Sequence, residues 1–131
     1  MAKPKNPLEG LSRRERQIMD VLYRTRKATA AEVRAEMSEP PSYSTVRALL
    51  RILEEKRCIE HDEEGSRYVY RPRIPVRTAK RMAARRLLET FFEGSVLQAV
   101  ETLLDVSTAE LSDEELSNLR QRIEEAKKEG R

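Results

Sequence analysis

Cysteine and histidine each occur once in the 131 residues, as Cys58 and His61. A lone cysteine excludes an internal disulfide and any cysteine-cluster metal site. The two residues lie three apart on a strand-like stretch, so their side chains point to opposite faces. Cys58 therefore reads as a small strand or core residue, and neither a metal nor a cofactor is expected. Glycine is sparse too, with four in the chain, and none builds the glycine-rich loop that cradles a nucleotide. The residues for a nucleophile–base pair are lacking, and Glu63 and Glu64 sit side by side in a turn as solvated carboxylates. No enzyme is expected. No apolar run approaches the ~20 residues needed to span a bilayer. The segment 1–10 carries Lys3 and Lys5 but no apolar core, which does not fit a secretory signal. A cytoplasmic protein without membrane insertion is expected, with 1–10 as a flexible arm.

Charge, by contrast, is plentiful. Charged residues make up 37% and apolar residues 38% of the chain, enough for one small domain and an accessory element. The net charge of +3 is unevenly spread. Residues 1–77 carry 17 basic and 12 acidic residues, and residues 78–131 carry 9 basic and 11 acidic. A basic front and a mildly acidic back suit a nucleic-acid reader joined to a protein-contacting module.

The segment from Ser42 to Arg57 has two faces. Val46, Leu49, Leu50 and Leu53 recur at helical spacing on one side, while Ser44, Arg47, Ala48 and Arg51 repeat that spacing nearly opposite. Guanidinium groups on such a front suit phosphate oxygens and the O6/N7 edge of guanine. Alone, the face fits a solvated arginine surface equally well; its flanks decide. Cys58 to Asp62 and Arg67 to Pro72 read as short strands around a turn in which Gly65 supplies a positive φ. Upstream, Ser12 with Glu15 and Thr29 with Glu32 are capping boxes. The first opens a helix to about Arg26 with Ile18, Met19 and Leu22 inward. The second opens a short helix to about Ser38 with Val33 and Met37 inward, ended by Pro40 and Pro41. Three helices followed by a hairpin predict a winged helix-turn-helix domain over 11–77.

The back half, 78–131, reads as three helices. Ala79, Met82, Ala83, Leu87, Leu88 and Phe91 make a broad stripe, with Phe92 following and Gly94 able to end the helix in the left-handed conformation. Ser95 caps the next helix, with Val96, Leu97, Val100, Leu103 and Leu104 inward. Ser112 and Glu115 form a third capping box, ahead of Leu116, Leu119 and Ile123. Three such helices are too few to bury these stripes within one chain. Dimerisation through Met82, Leu87, Leu88, Phe91, Phe92, Val96, Val100, Leu103, Leu104, Leu116, Leu119 and Ile123 is expected, against the alternative of a compact monomeric helical cap. The fold class is thus mostly α with a small β-hairpin wing: an N-terminal winged helix and a C-terminal three-helix dimerisation region.

The ordered set of motifs resembles the penicillinase and methicillin-resistance repressors, a family that includes copper-responsive relatives. Its carriers here are Leu11-Ser12, Glu15 and Ile18-Met19, then Thr29 with Glu32-Val33, then Ser44-Thr45-Val46-Arg47, Leu49-Leu50, Leu53 and Lys56. Arg67-Tyr68, Tyr70 and Pro72 follow, then Phe92, Gly94-Ser95 and Leu111-Ser112 with Glu115-Leu116 and Leu119. The resemblance implies a homodimeric bacterial repressor that binds a double-stranded DNA operator. The copper-responsive variant is rejected, because its paired C-terminal cysteines are absent. Under this reading Ser42, Tyr43, Ser44 and Thr45 hold a phosphate at the helix start. Arg47 and Arg51 reach base edges or flanking phosphates, and small Ser44 and Ala48 let the helix sink into the major groove. Arg67, Arg13 and Arg14 are further phosphate candidates, with surface solvation as the alternative for the last two. A second function class is a winged helix whose arginine face docks an acidic protein. The resemblance also implies a membrane sensor and protease pathway that cuts an Asn–Phe bond. Here Asn6 precedes Pro7 and Asn118 precedes Leu119, so that bond is missing, and the sequence does not name the inducing signal or the operon.

Overall fold

The computed structural model describes residues 7–107 and 110–130. The element order is α1 (Arg13–Thr25), β1 (Ala28–Thr29), α2 (Ala30–Glu36), α3 (Tyr43–Glu55), β2 (Ile59–Glu64), β3 (Arg67–Pro72), α4 (Val76–Phe91), α5 (Val96–Val106) and α6 (Asp113–Lys128). The chain divides into two compact units, Met1–Ala83 and Ala84–Arg131, and the division falls inside α4.

The first unit begins with helices fixed by their caps. The Ser12 hydroxyl accepts from Glu15 N at 3.1 Å while Ser12 N donates to Glu15 Oε1 at 2.7 Å. Thr29 and Glu32 repeat the exchange at 3.2 and 2.9 Å. Each box satisfies two backbone donors that a helix start leaves orphaned. α2 ends at Glu36, earlier than the prolines alone suggest, because Met37 turns extended and is buried in the core.

Apolar faces of α1, α2 and α3 converge with the foot of the hairpin. Ile18, Leu22, Val33, Val46, Leu50, Leu53, Cys58 and Ile59 are essentially solvent-free. Each large aliphatic among them contributes about 1.5–3 kcal/mol by burial. At the end of α3, Arg57 adopts a left-handed φ of 65° and Cys58 N reaches back to Leu53 O at 3.0 Å. The chain thereby swings from α3 straight into β2.

The sheet holds one strand more than the expected hairpin. β2 and β3 pair antiparallel from Ile59↔Pro72 to Glu64↔Arg67, around Gly65 at φ 67°. β1 joins the other edge through Ala28↔Tyr70 and Thr29↔Val69, giving the order β1-β3-β2. Two residues carry no strand periodicity, so β1 is set by its partner rather than by its own pattern. Of the arm expected over 1–10, residues 1–6 lie outside the described residues. Pro7 to Gly10 form a turn that packs Leu8 on the core, and Cys58 Sγ donates to Pro7 O at 3.2 Å.

In the second unit α5 is capped by Ser95, whose hydroxyl accepts from Gln98 N at 3.1 Å. The Ser112–Glu115 box opens α6, with bonds of 3.1 and 3.0 Å. α4 closes through Glu93 and Gly94, both at positive φ. The helices α4, α5 and α6 barely pack on one another, and Ala99 is the only buried apolar residue that the described part of this unit contains.

Candidate nucleic-acid interface

Burial of Val46, Leu50 and Leu53 fixes the rotation of α3. At about 100° per residue, Ser44, Arg47, Ala48 and Arg51 must then face outward, and all four are exposed. At the helix start the Ser42 hydroxyl accepts from Thr45 N at 3.2 Å and donates to Thr45 Oγ1 at 2.9 Å. Its bonding capacity is thus committed to the cap, while Tyr43, Ser44 and Thr45 stand exposed beside it. The Arg47 guanidinium carbon lies 6.0 Å from the Tyr43 ring centroid, which steers that side chain along the helix surface.

Two adjoining shallow grooves run between α3 and the wing and share Tyr43, Arg47, Tyr68 and Tyr70. One is completed by Ser44, Ala48, Arg51 and Glu54, the other by Thr29 to Ala31 with Ser66 and Arg67. Tyr43, Ser44, Arg47, Ala48, Arg51 and Arg67 are therefore brought together. Ser42, Thr45, Arg13 and Arg14 do not line the grooves. Arg14 instead bonds Gln17 Oε1 at 3.0 Å and Ser38 O at 3.5 Å, which ties α1 to the turn before α3.

Glu54, His61, Tyr68 and Tyr70, to which the sequence assigned no binding role, also belong to or support this surface. Glu54 follows Arg47 and Arg51 at i+7 and i+3, so helical spacing alone places a carboxylate on the arginine face. Its Oε2 bonds His61 Nδ1 on β2, which fastens the wing to α3. The His61 ring stacks on Tyr68, centroids 4.1 Å apart and planes 14° apart, and Tyr70 lies 5.7 Å from it. Burial pushes the Tyr70 hydroxyl above its ordinary value, and the Glu54 charge adds to this.

Electrostatics on the wing are mixed. Arg71 bridges Glu60, at 3.1 Å, and Asp62, leaving Glu63 and Glu64 exposed near the tip. The Thr29 backbone N–H and hydroxyl hold the Glu32 carboxyl below the usual carboxylate range, with a smaller contribution from nearby Arg67. Such a surface can bind anions and base edges. Among the described residues no cluster of histidine, cysteine and carboxylate side chains fits a metal ion, and no helix is long and apolar enough to cross a membrane.

The apolar set of the back half is largely uncovered. Phe91 is 71% exposed, Val96 63%, Leu103 55%, Leu104 49% and Ile123 53%. Leu87, Leu116 and Leu119 are also exposed, whereas Met82, Leu88, Phe92 and Val100 are half-buried.

The family described as penicillinase repressor matches residues 11–125. A penicillinase repressor of Bacillus licheniformis is 29% identical over 119 residues, covering 89% of this chain and 91% of that protein.

Proposed function

This chain belongs to the penicillinase repressor family, and from that premise we propose that it is a homodimeric repressor reading an inverted-repeat operator in double-stranded DNA. The observation that carries the reading is the exposed Arg47–Arg51 face, with Ser44 and Ala48 between, on a helix whose Val46, Leu50 and Leu53 are buried. Small residues allow close approach to the floor of the major groove, and arginines supply bidentate donors to guanine or to phosphate. Ser44, Thr45 and Tyr43 at the helix start, and Arg67 across the groove, supply backbone contacts that fix register.

Dimerisation explains the second unit. Exposed leucines, valines and Phe91 on barely packed helices cost solvation free energy until a matching surface covers them, and a two-fold partner offers the same apolar surface. Neither asparagine of this chain makes the Asn–Phe bond that the family resemblance implies as a cleavage site. Asn118 is followed by Leu119 inside α6, and Asn6 lies outside the described residues.

Titration against a random duplex and the chain's own upstream DNA, at two salt concentrations, tests the reading. Binding that weakens with salt and prefers the upstream DNA is expected. Affinity for neither duplex would leave the arginine face to an acidic protein partner.

A further inference from the structure

From Gly65 to Leu88 the chain carries eight basic residues and no acidic one. Arg71 is taken up by Glu60 and Asp62 on the wing, and Arg67 belongs to the groove beside α3. Six remain: Arg73, Arg77, Lys80, Arg81, Arg85 and Arg86. All six are exposed, and among the described residues none meets a carboxylate. Without them, twenty basic and twenty-three acidic residues would leave the chain at −3 instead of +3. Basic residues with no acidic residue between them in the chain thus run from Arg73 through the first two-thirds of α4.

Resting on the repressor reading, we propose that the basic face of α4 is a second DNA-binding surface, which grips phosphates of the duplex beyond the bases read by α3. Helical spacing sorts the side chains. Arg77, Arg81 and Arg85 recur every fourth residue and drift by only about 40° per step, with Lys80 beside them. Ala79 and Met82, which are half-buried, fall on the other side. The stripe from Arg77 to Arg85 is about 12 Å long, comparable to the rise of three or four nucleotides of one strand.

The start of this surface is anchored to the reader. Arg73 N donates to Cys58 O at 2.9 Å, and the Tyr23 hydroxyl of α1 donates to Ile74 O at 3.0 Å, just before α4 begins. Arg73, Arg77, Lys80 and Arg81 thus lie in the same compact unit as Arg47 and Arg51. Cations held on a rigid reader lose little extra freedom on meeting a polyanion. An acidic surface on a second copy fits less well. The acidic turn of α6 has Glu115 engaged in its own capping box, and Lys127 and Lys128 close that helix.

The test uses the full chain carrying Arg77→Gln, Lys80→Gln, Arg81→Gln and Arg85→Gln together, titrated with a long random-sequence duplex across a salt series. Each lost phosphate contact should reduce the slope of log affinity against log salt by about 0.9, so a decrease of roughly 2–4 per bound protomer is expected. Lysine at the three arginine positions should restore most of it, and sedimentation should show the same oligomer as the unaltered chain. An unchanged slope in a folded variant overturns the inference and leaves the repressor reading standing. A variant that binds weakly because it has become monomeric overturns it too, by assigning these charges to a second copy. An unaltered chain that ignores the duplex sinks both.

Discussion

Lys56 and Glu15, 41 positions apart in sequence, form a bifurcated ion pair. The ammonium donates to Oε2 at 2.9 Å and to Oε1 at 3.1 Å. The same Oε1 accepts the Ser12 backbone N–H that closes the α1 capping box. Lys56 is the C-cap of α3, so a single carboxylate joins the start of the first helix to the end of the helix that carries Arg47 and Arg51. Glu15 is 3% exposed, while the Lys56 side chain keeps 41% of its surface. Both positions are among those by which the sequence resembles its family, and the pair supplies a physical reason for having both.

Removing Lys56 should destabilise the fold by about 1–3 kcal/mol, because it strands a buried carboxylate. The lower part of that range is expected from the ammonium's access to water. Burial pushes the Glu15 carboxyl up, but the Ser12 N–H, the Lys56 ammonium and the Ser12 hydroxyl together hold it below the ordinary value of 4.5. A depressed folded value means that this stability is fully present above pH 4.5 and is lost as pH falls through the folded value. In Lys56→Met the folded value moves up towards or past 4.5, so this acid loss should shrink or disappear. Denaturant melts of both proteins between acidic and neutral pH measure this; coincident pH profiles would refute the coupling.

Arg47→Ala and Arg51→Ala should each weaken operator binding without loss of fold, since both side chains are exposed. A lost bidentate base contact costs about 1–3 kcal/mol and relaxes sequence preference, whereas a lost phosphate contact weakens all duplexes alike. Comparing operator with random duplex sorts each arginine into one class. Unaltered affinity in both folded variants would remove α3 from the interface.

A single charge in the exposed apolar set tests the role of the second unit. Leu104→Glu should give a monomer in sedimentation at micromolar concentration, with near-native helicity by circular dichroism, because Leu104 is 49% exposed and supports no internal core. The monomer should bind an operator weakly, having lost the effective concentration that joins two readers. A monomeric unaltered chain would dispose of the dimer.

Operator spacing reports the rigidity of the pair. Half-site centres should lie about one helical turn apart, roughly 34–36 Å, or a multiple of it. Inserting five base pairs turns one half-site by about half a turn and should abolish cooperative binding, whereas ten should do less harm. Gel shifts on such sites give the answer, and equal affinity at every spacing would mean that the readers act independently.

The sequence by itself determined what short-range physics controls. Ser12 with Glu15, Thr29 with Glu32 and Ser112 with Glu115 interact across three residues, so spacing alone locates three helix starts. Val46, Leu50 and Leu53 declare the buried side of α3 by period, and with it the exposure of Arg47 and Arg51. Gly65 marks the hairpin because the turn needs a positive φ. Tertiary structure alone decided the contacts between segments distant in the chain. Ala28 and Thr29 become a strand only because the edge of β3 has free backbone groups to pair. His61 takes its place as the wing's fastening only when β2 folds back beside Glu54, and Glu15 acquires its second partner only when α3 ends against the start of α1. Such pairings depend on where the packed core brings two segments, and no local period records that.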